Sequence, residues 1–538
     1  MTSHPAPQLV VVADTVHTLD PARPTAQAVA ITDGTVTAVG DRADVAGWRG
    51  KGTEVVDLGR ATLTPGLVDG HTHPVMGVDL TAGTDLSGVR TRDDLVRALR
   101  AGARNLPRGS WVRGWGLDPN AFEGAPITHA PLVDALGPDV PAHVVMFDAH
   151  SALVSPRALE IAGVTGARPF RSGAQVVLAD GTPTGHLLEL EAMDLVSAHL
   201  PADTPQQRRE RFLGILRGMA ATGLTAANVM DFEGDSRDLV STVAAEHELP
   251  VRLRFAPFVM PAHGREHLRH VVDLQRLGGR RWDVDGAKFM IDGTVDGGTA
   301  WLEEADTHGE STTPFWPDPR EYTEAVAFLA AHDVPTVTHA IGDAGVRHVL
   351  RTIAGLDRQP RVPHRVEHIE TLPDDLVGRF AELDVTASMQ PTHCTHYTKA
   401  DHSDNWSQRL GKVRADRAFR TRDLREAGAR LALGSDWPVA PYDPRAVIAD
   451  ARLRRTAGRP EEEPVLPGQA LSARMALEGY TTEAARAAGL EGVAGSLRPG
   501  ARADLSAFAL DPLVVGPDEF AQSPVPLTVV AGTVVHRN

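Results

Sequence analysis

Cysteine is almost absent from this chain. Cys394 is the single one in 538 residues, which excludes an intrachain disulfide and any cysteine-based zinc knuckle and fits a reducing compartment. No uninterrupted apolar run approaches the ~20 residues of a membrane-spanning helix. The amino end shows only the short run Leu9 to Ala13 with no basic stretch before it, so no signal-peptide pattern is read there. Positive charge is outnumbered, 54 Lys and Arg against 70 Asp and Glu for a formal charge of −16, which disfavours nucleic acid and anionic membranes as partners. These absences point to a cytoplasmic protein and do not identify a substrate; a small-molecule substrate and a candidate homodimer are separate expectations.

Histidine is abundant, at 23 copies, and with cysteine nearly missing it becomes the obvious ligand for a borderline metal ion. The first sign is Pro65-Gly66-Leu67-Val68-Asp69-Gly70-His71-Thr72-His73-Pro74, an apolar strand ending in two histidines one residue apart. Strand side chains alternate faces, so His71 and His73 project the same way and can reach one cation.

At this length more than one domain is expected. The first ~60 residues read as short strands broken by Asp33-Gly34 and Gly40-Asp41, and the far end repeats the pattern over Asp504 to Phe508, Leu513 to Val515 and Leu527 to Val535. Residues 1–64 and 480–538 therefore form one β-sandwich from both chain ends. Between them, apolar strands alternate with amphipathic helices, the rhythm of a (β/α)8 TIM-like barrel over 65–479. The strand candidates are Leu67 to His71, Leu224 to Met230, Val251 to Phe258, Asp285 to Ile291, Thr336 to Ala340, Arg365 to Ile369, Thr386 to Gln390 and Arg430 to Ser435. The stretch from His73 to Leu224 is far too long for a simple βα connection. It has strand-like pieces of its own, Ser110 to Gly116, Ala142 to Phe147 and Gln175 to Leu178, so about 84–204 reads as an inserted cap.

Potential ligands recur at the ends of these strands: His71 and His73, then Lys288, His339, His368 and Asp436. In a TIM barrel such ends share one pocket. Four imidazoles and a carboxylate suit zinc, or iron, manganese or nickel. Lys288 cannot ligate as an ammonium. A buried lysine with a depressed pKa can instead take up carbon dioxide as a carbamate whose two oxygens could bridge two metals; the plain alternative is a salt bridge to a carboxylate such as Asp292.

Together with Gly114-Trp115-Gly116 and Asp118, Asp148-Ala149-His150-Ser151, Gly286-Ala287-Lys288-Phe289, His339-Ala340-Ile341-Gly342-Asp343, Arg365-Val366-Glu367-His368, Gly434-Ser435-Asp436-Trp437-Pro438 and the tail Gly495 to Leu505, these motifs resemble the amidohydrolase superfamily of metal-dependent hydrolases. Within it the chain resembles amidohydrolase family 3, the branch of N-substituted formamide deformylase-like and YtcJ-like proteins. The resemblance runs nearly end to end. It implies two divalent ions held by His71, His73, carbamylated Lys288, His339, His368 and Asp436, with Asp436 also acting as general base and then acid. It implies hydrolysis of a C–N bond in an amide or N-substituted formamide; a cyclic amide, a heterocycle's exocyclic amine, or an ester or lactone are alternatives on the same centre. A non-catalytic relative would be marked by lost ligands, and none is missing. The chain departs from the family where Gly342-Asp343-Ala344-Gly345 and Asp292-Gly293-Thr294-Val295 lack the usual arginines, both near the substrate region.

Trp115, Asp118, Asp292 and Gln390 are the candidate substrate contacts, with packing in the cap as the alternative for Trp115. Asp148 and His150 read as a structural pair. Gln390, His393 and Cys394 should border the pocket, without Cys394 acting as nucleophile. His402, His364, His332 and His186 read as surface residues.

Overall fold

The computed structural model describes residues 6–107, 109–170 and 173–538. The two chain ends share one sheet. Its order runs Thr533–Arg537, Leu527–Val530, Leu505–Phe508, Thr62–Pro65, Leu9–His17, Thr25–Thr32 and Thr35–Gly40, with Glu54–Asp57 also against Leu9–His17. The antiparallel pairing of Thr62–Pro65 with Leu505–Phe508 joins segments more than 400 residues apart. Valines alternate on Leu9–His17 so that Val11 packs on one face with Ile31, Leu63 and Leu505, while Val10 and Val12 pack on the other with Ala28 and Ala30. The expected sandwich thus takes the form of a single eight-stranded sheet covered on both faces. Leu513 to Val515, expected as a strand, is a turn. Asp511 accepts from the amides of Leu513, Val514 and Val515, which curls the backbone before it can pair.

The middle of the chain forms two sheets dominated by parallel strands. One runs Leu67–Thr72, Leu224–Val229, Arg252–Phe255 and Trp282–Val284; the other runs Phe258–Val259, Ala287–Met290, Thr336–Ala340, Arg365–His368, Thr386–Met389 and Arg430–Leu433. The expected strand Val251 to Phe258 is split in two, and Asp285 to Ile291 is shortened to Ala287–Met290, with a separate strand, Trp282–Val284, ahead of it. Pro257 has no N–H for the ladder, and Gly286 turns at φ 109. The break is bridged by bonds from Ala256 N to Val229 O and Lys288 N to Pro257 O. Long helices such as Pro205–Ala221, Pro319–Ala331 and Asp343–Ala354 pack their apolar stripes on these strands, giving one continuous core.

The last of these strands returns to the first. Asp436 N donates to His71 O at 2.7 Å and His73 N to Trp437 O at 2.8 Å. Asp69 clamps the junction, accepting from the amides of His71 and Ser435 and from the Ser435 hydroxyl at 2.6 Å.

The insertion carries a six-stranded sheet in the order Gln175–Ala179, Thr182–Leu188, Ser151–Val154, Ala142–Met146, Val112–Leu117 and Thr84–Asp85, with a separate apolar cluster on each face. Two of its strands have no clear sequence signal. Thr182–Leu188 contains Pro183 and Gly185, and Ser151–Val154 spans four residues. Among the described residues no helix is long and apolar enough to cross a membrane.

Gly70 is where the closing strand approaches most tightly: a Cβ there would stand 2.5 Å from the Leu433 carbonyl oxygen. Gly70→Ala is therefore expected to cost about 1–3 kcal/mol in urea unfolding. Gly47→Ala, where a Cβ meets open space, should be neutral or stabilising.

Candidate metal centre

The strand Leu67–Thr72 ends one residue before His73, which caps the helix Pro74–Leu80 with Pro74 in its first turn. Both imidazoles nonetheless converge. His71 Nδ1 lies 2.5 Å from Glu367 Oε2, which fixes the tautomer and turns the Nε2 lone pair away from Glu367. That Nε2 lies 3.3 Å from His73 Nε2 and 3.2 Å from Asp436 Oδ1, and His73 Nε2 lies 3.3 Å from the same oxygen. Asp436 Oδ1 is buried and has no hydrogen-bond partner. Electron-pair donors this close repel unless a cation or proton sits among them, so the donor set fits a divalent metal.

His368 enters from the neighbouring strand. Its Nδ1 lies 2.9 Å from Gln390 Oε1, freeing Nε2, and donor atoms of His71, His368 and Asp436 fall within 4.8 Å of one another. His339 Nε2 lies 3.2 Å from Gly293 O, and its ring meets that of His368 edge-on at 4.5 Å. Both His368 (φ 72) and Asp436 (φ 58) adopt the left-handed region just past their strands, a local strain that places functional side chains. Lys288 lines the same chamber as His73, His339, His368 and Asp436; no ion pair of Lys288 with Asp292 occurs among the described residues.

The electrostatics suit neutral donors around an ionised base. Burial pushes His73 down to about 4 and holds His339 and His368 well below the ordinary histidine value. Burial would raise Asp436, yet the neighbouring imidazoles, His71 first, outweigh it and hold the carboxyl well below its usual range. Glu367 likewise stays ionised, down to about 2, because Arg365 and His71 outweigh its burial. Arg365 donates to both Glu367 oxygens and to Gly70 O, which ties the orienting carboxylate to the first strand.

The remaining candidates lie elsewhere. Asp292 is fully buried behind His339 and accepts from the amides of Trp301, Ile341 and Gly342. Gln390 sits behind His368. Trp115 and Asp118 line a separate outer cleft, where Asp118 caps the turn at Asn120. His393 borders the chamber, while Cys394 is buried against Arg454 Nη2 at 3.0 Å. His364, read as a surface residue, is buried, its Nδ1 receiving the Thr336 amide at the start of a core strand. Glu367, Glu370 and the buried partner of His150, Glu189, were not singled out from sequence. The strand-face position of Glu367 next to His368 was the one available signal.

The amidohydrolase family profile matches residues 54–536. The chain belongs to that family. It is similar to putative amidohydrolase YtcJ of Bacillus subtilis (27% identical, covering 90% of this chain and 91% of the relative) and to N-substituted formamide deformylase of Arthrobacter pascens (25%, 97% and 97%). Protein LONG AFTER FAR-RED 3 of Arabidopsis thaliana is 29% identical over 92% of this chain and 86% of its own length. Among solved structures, an uncharacterised metal-dependent hydrolase from Pyrococcus horikoshii superposes with a TM-score of 0.71 at 21% identity over 95% of this chain and 99% of the other. A zinc complex of atrazine chlorohydrolase from Arthrobacter aurescens gives 0.54 at 16%, over 98% and 95%. This amidohydrolase therefore shares its fold with metal-dependent hydrolases.

In this amidohydrolase His150 also faces the chamber. Burial disfavours its charge, but Glu189, 2.9 Å from Nδ1, and Asp148 outweigh that and raise it to about 9 from an ordinary 6.5. A raised histidine contributes stability that is complete below ~6.5 and lost as pH climbs through ~9. Chelator-treated protein should thus lose at most about 3 kcal/mol from this pair between those limits, read as the difference from Glu189→Gln in urea titrations at each pH.

Proposed function

We propose that this amidohydrolase cleaves a carbon–nitrogen bond other than a peptide bond, in an amide or N-substituted formamide of a small molecule. The observation that carries the reading is the approach of His71 Nε2, His73 Nε2 and Asp436 Oδ1 to within 3.3 Å in a chamber shared with Lys288. In this reading the two parallel sheets are arcs of one closed (β/α)8 barrel over 65–479, the terminal segments 1–64 and 480–538 are a composite β domain, and about 84–204 caps the barrel. The enzyme works in the cytoplasm on a small molecule, as a homodimer, without nucleic acid or membrane as partner.

His71, His73, His339, His368, Asp436 and a Lys288 carbamate would hold two divalent ions, with zinc suited to this donor set. When bound, the metal supplies Lewis acidity that makes water acidic near neutral pH and withdraws electrons from a carbonyl. The chain's own groups do the rest. Burial lowers Lys288 to about 8, so its neutral amine is available to bond the carbon of carbon dioxide, releasing one proton. Asp436, ionised in the resting site, takes the proton of the attacking water, is neutral while it holds it, and delivers it to the departing nitrogen. Glu367 and Gln390 hold His71 and His368 by their Nδ1 atoms, keeping the opposite nitrogens aimed into the chamber.

Metal analysis should find about two ions per chain, and native intact mass should be heavier by one carbon dioxide. Asp436→Asn should lower kcat for N-formyl and N-acyl amines by on the order of a thousandfold while circular dichroism stays unchanged. Retained turnover in that variant, or fully loaded protein that cleaves esters and lactones but no amide, overturns the reading.

A further inference from the structure

The metal chamber is small, about 80 Å³, and beside it lies a cleft of about 890 Å³. The two share Pro438 and Val439 as common wall. Phe147 completes that wall on the chamber side and Tyr397 on the cleft side. Their rings stack with centroids 3.7 Å apart at 29°, and the Tyr397 hydroxyl donates to Val439 O at 2.5 Å. Phe147 follows the cap strand Ala142–Met146, whereas Tyr397 ends the helix Pro391–Tyr397 that follows a core strand. One ring from the cap and one from the core thus close the boundary, three residues beyond Asp436.

We propose that the Phe147–Tyr397 pair is a specificity-determining partition that divides the substrate across two compartments, admitting a short acyl group to the chamber and holding a bulkier amine portion in the cleft. The assignment rests on the amide-hydrolysis reading above. Apart from the ligands, the chamber wall combines apolar side chains such as Met76, Leu80, Phe258 and Met290 with the carboxylates Asp148, Asp296 and Glu370, and its small volume leaves room for a short acyl group only. The cleft is lined by the rings of Trp115 and Tyr442 and by side chains of both charges, Asp118, Asp401, Arg90 and Lys399 among them, and its volume takes the bulkier amine portion. The roughly tenfold difference in volume sets which side of the scissile bond tolerates bulk. Stacked rings are held by dispersion and ring electrostatics that add little beyond their buried area, weak enough for substrate binding to part them.

The test is calorimetric and kinetic on the metal-loaded full chain. Straight-chain carboxylates from acetate to octanoate serve as product probes, and one aromatic amine carrying formyl to octanoyl groups serves as the substrate series. Wild-type affinity and kcat/KM should fall at least tenfold along each series, and Phe147→Ala should reduce that fall to under threefold. Phe147→Leu, which keeps an apolar anchor under the cap without a ring to stack, should lie between and stands in if the alanine variant does not fold. A flat wild-type profile, identical slopes in the variants, or a steep dependence on amine size with none on acyl length overturns the partition. Matching acyl esters separate the two ideas: turnover of esters alone would end the amide reading while their chain-length slope still decides the role of Phe147 and Tyr397.

Discussion

The clamp of Asp69 across the junction of the first and last core strands is the constraint on which the rest of the site depends. Its two oxygens take three donors, from His71 and Ser435, in a fully buried position. Burial pushes its carboxyl up to about 6, so the group is ionised at neutral pH only because those donors satisfy it. Gly70 and Gly434 make the approach possible: a Cβ on the first would meet Leu433 O at 2.5 Å, and one on the second would meet His71 N at the same distance. That contact brings Asp436 beside His71 and His73. A carboxylate more than 360 residues distant in sequence is thereby set within 3.3 Å of two imidazoles.

Charge is arranged in two layers around this junction. The inner layer consists of donors that burial keeps neutral, His73, His339 and His368, with one ionised carboxylate, Asp436. Behind it stand groups that orient the donors: Glu367 with Arg365 behind His71, Gln390 behind His368, and the Gly293 carbonyl behind His339. His71, His339 and His368 each spend one nitrogen on such a support, whereas His73 Nδ1 is buried with no partner. Asp292 serves the backbone instead, holding the loop after Thr336–Ala340 and the Trp301 amide together. A carboxylate so fully engaged has little capacity left for a substrate, which is why its place beside Lys288 in the chain misleads.

Much of the architecture was legible before any coordinates. Each of the eight expected core strands overlaps an observed one, because continuous apolar runs bounded by helical periodicity have few other readings, while Trp282–Val284 is an additional strand outside them. Pro257 cuts one of the eight in a way that local chemistry foretells. The length of the stretch after His73 points to extra structure there, yet half of the six-stranded sheet it carries lies outside the expected strands. Thr182–Leu188 breaks the strand pattern with Pro183 and Gly185, and its pairing with Ser151–Val154 comes from neighbours that no local window contains. His364 was misread for the same reason: its surroundings in sequence are polar, but its partner is the Thr336 amide.

The sequence by itself determined which residues have ligand chemistry and that they stand at the ends of strands, since residue type and alternation are local properties. Only the tertiary structure decided which nitrogen of each histidine faces inward, that Glu367 and Gln390 face the histidines from behind, and that Trp115 and Asp118 line a cleft apart from the chamber. Those outcomes depend on distances between elements far apart along the chain, and a distance across the core is set by packing and backbone closure rather than by any neighbouring residue.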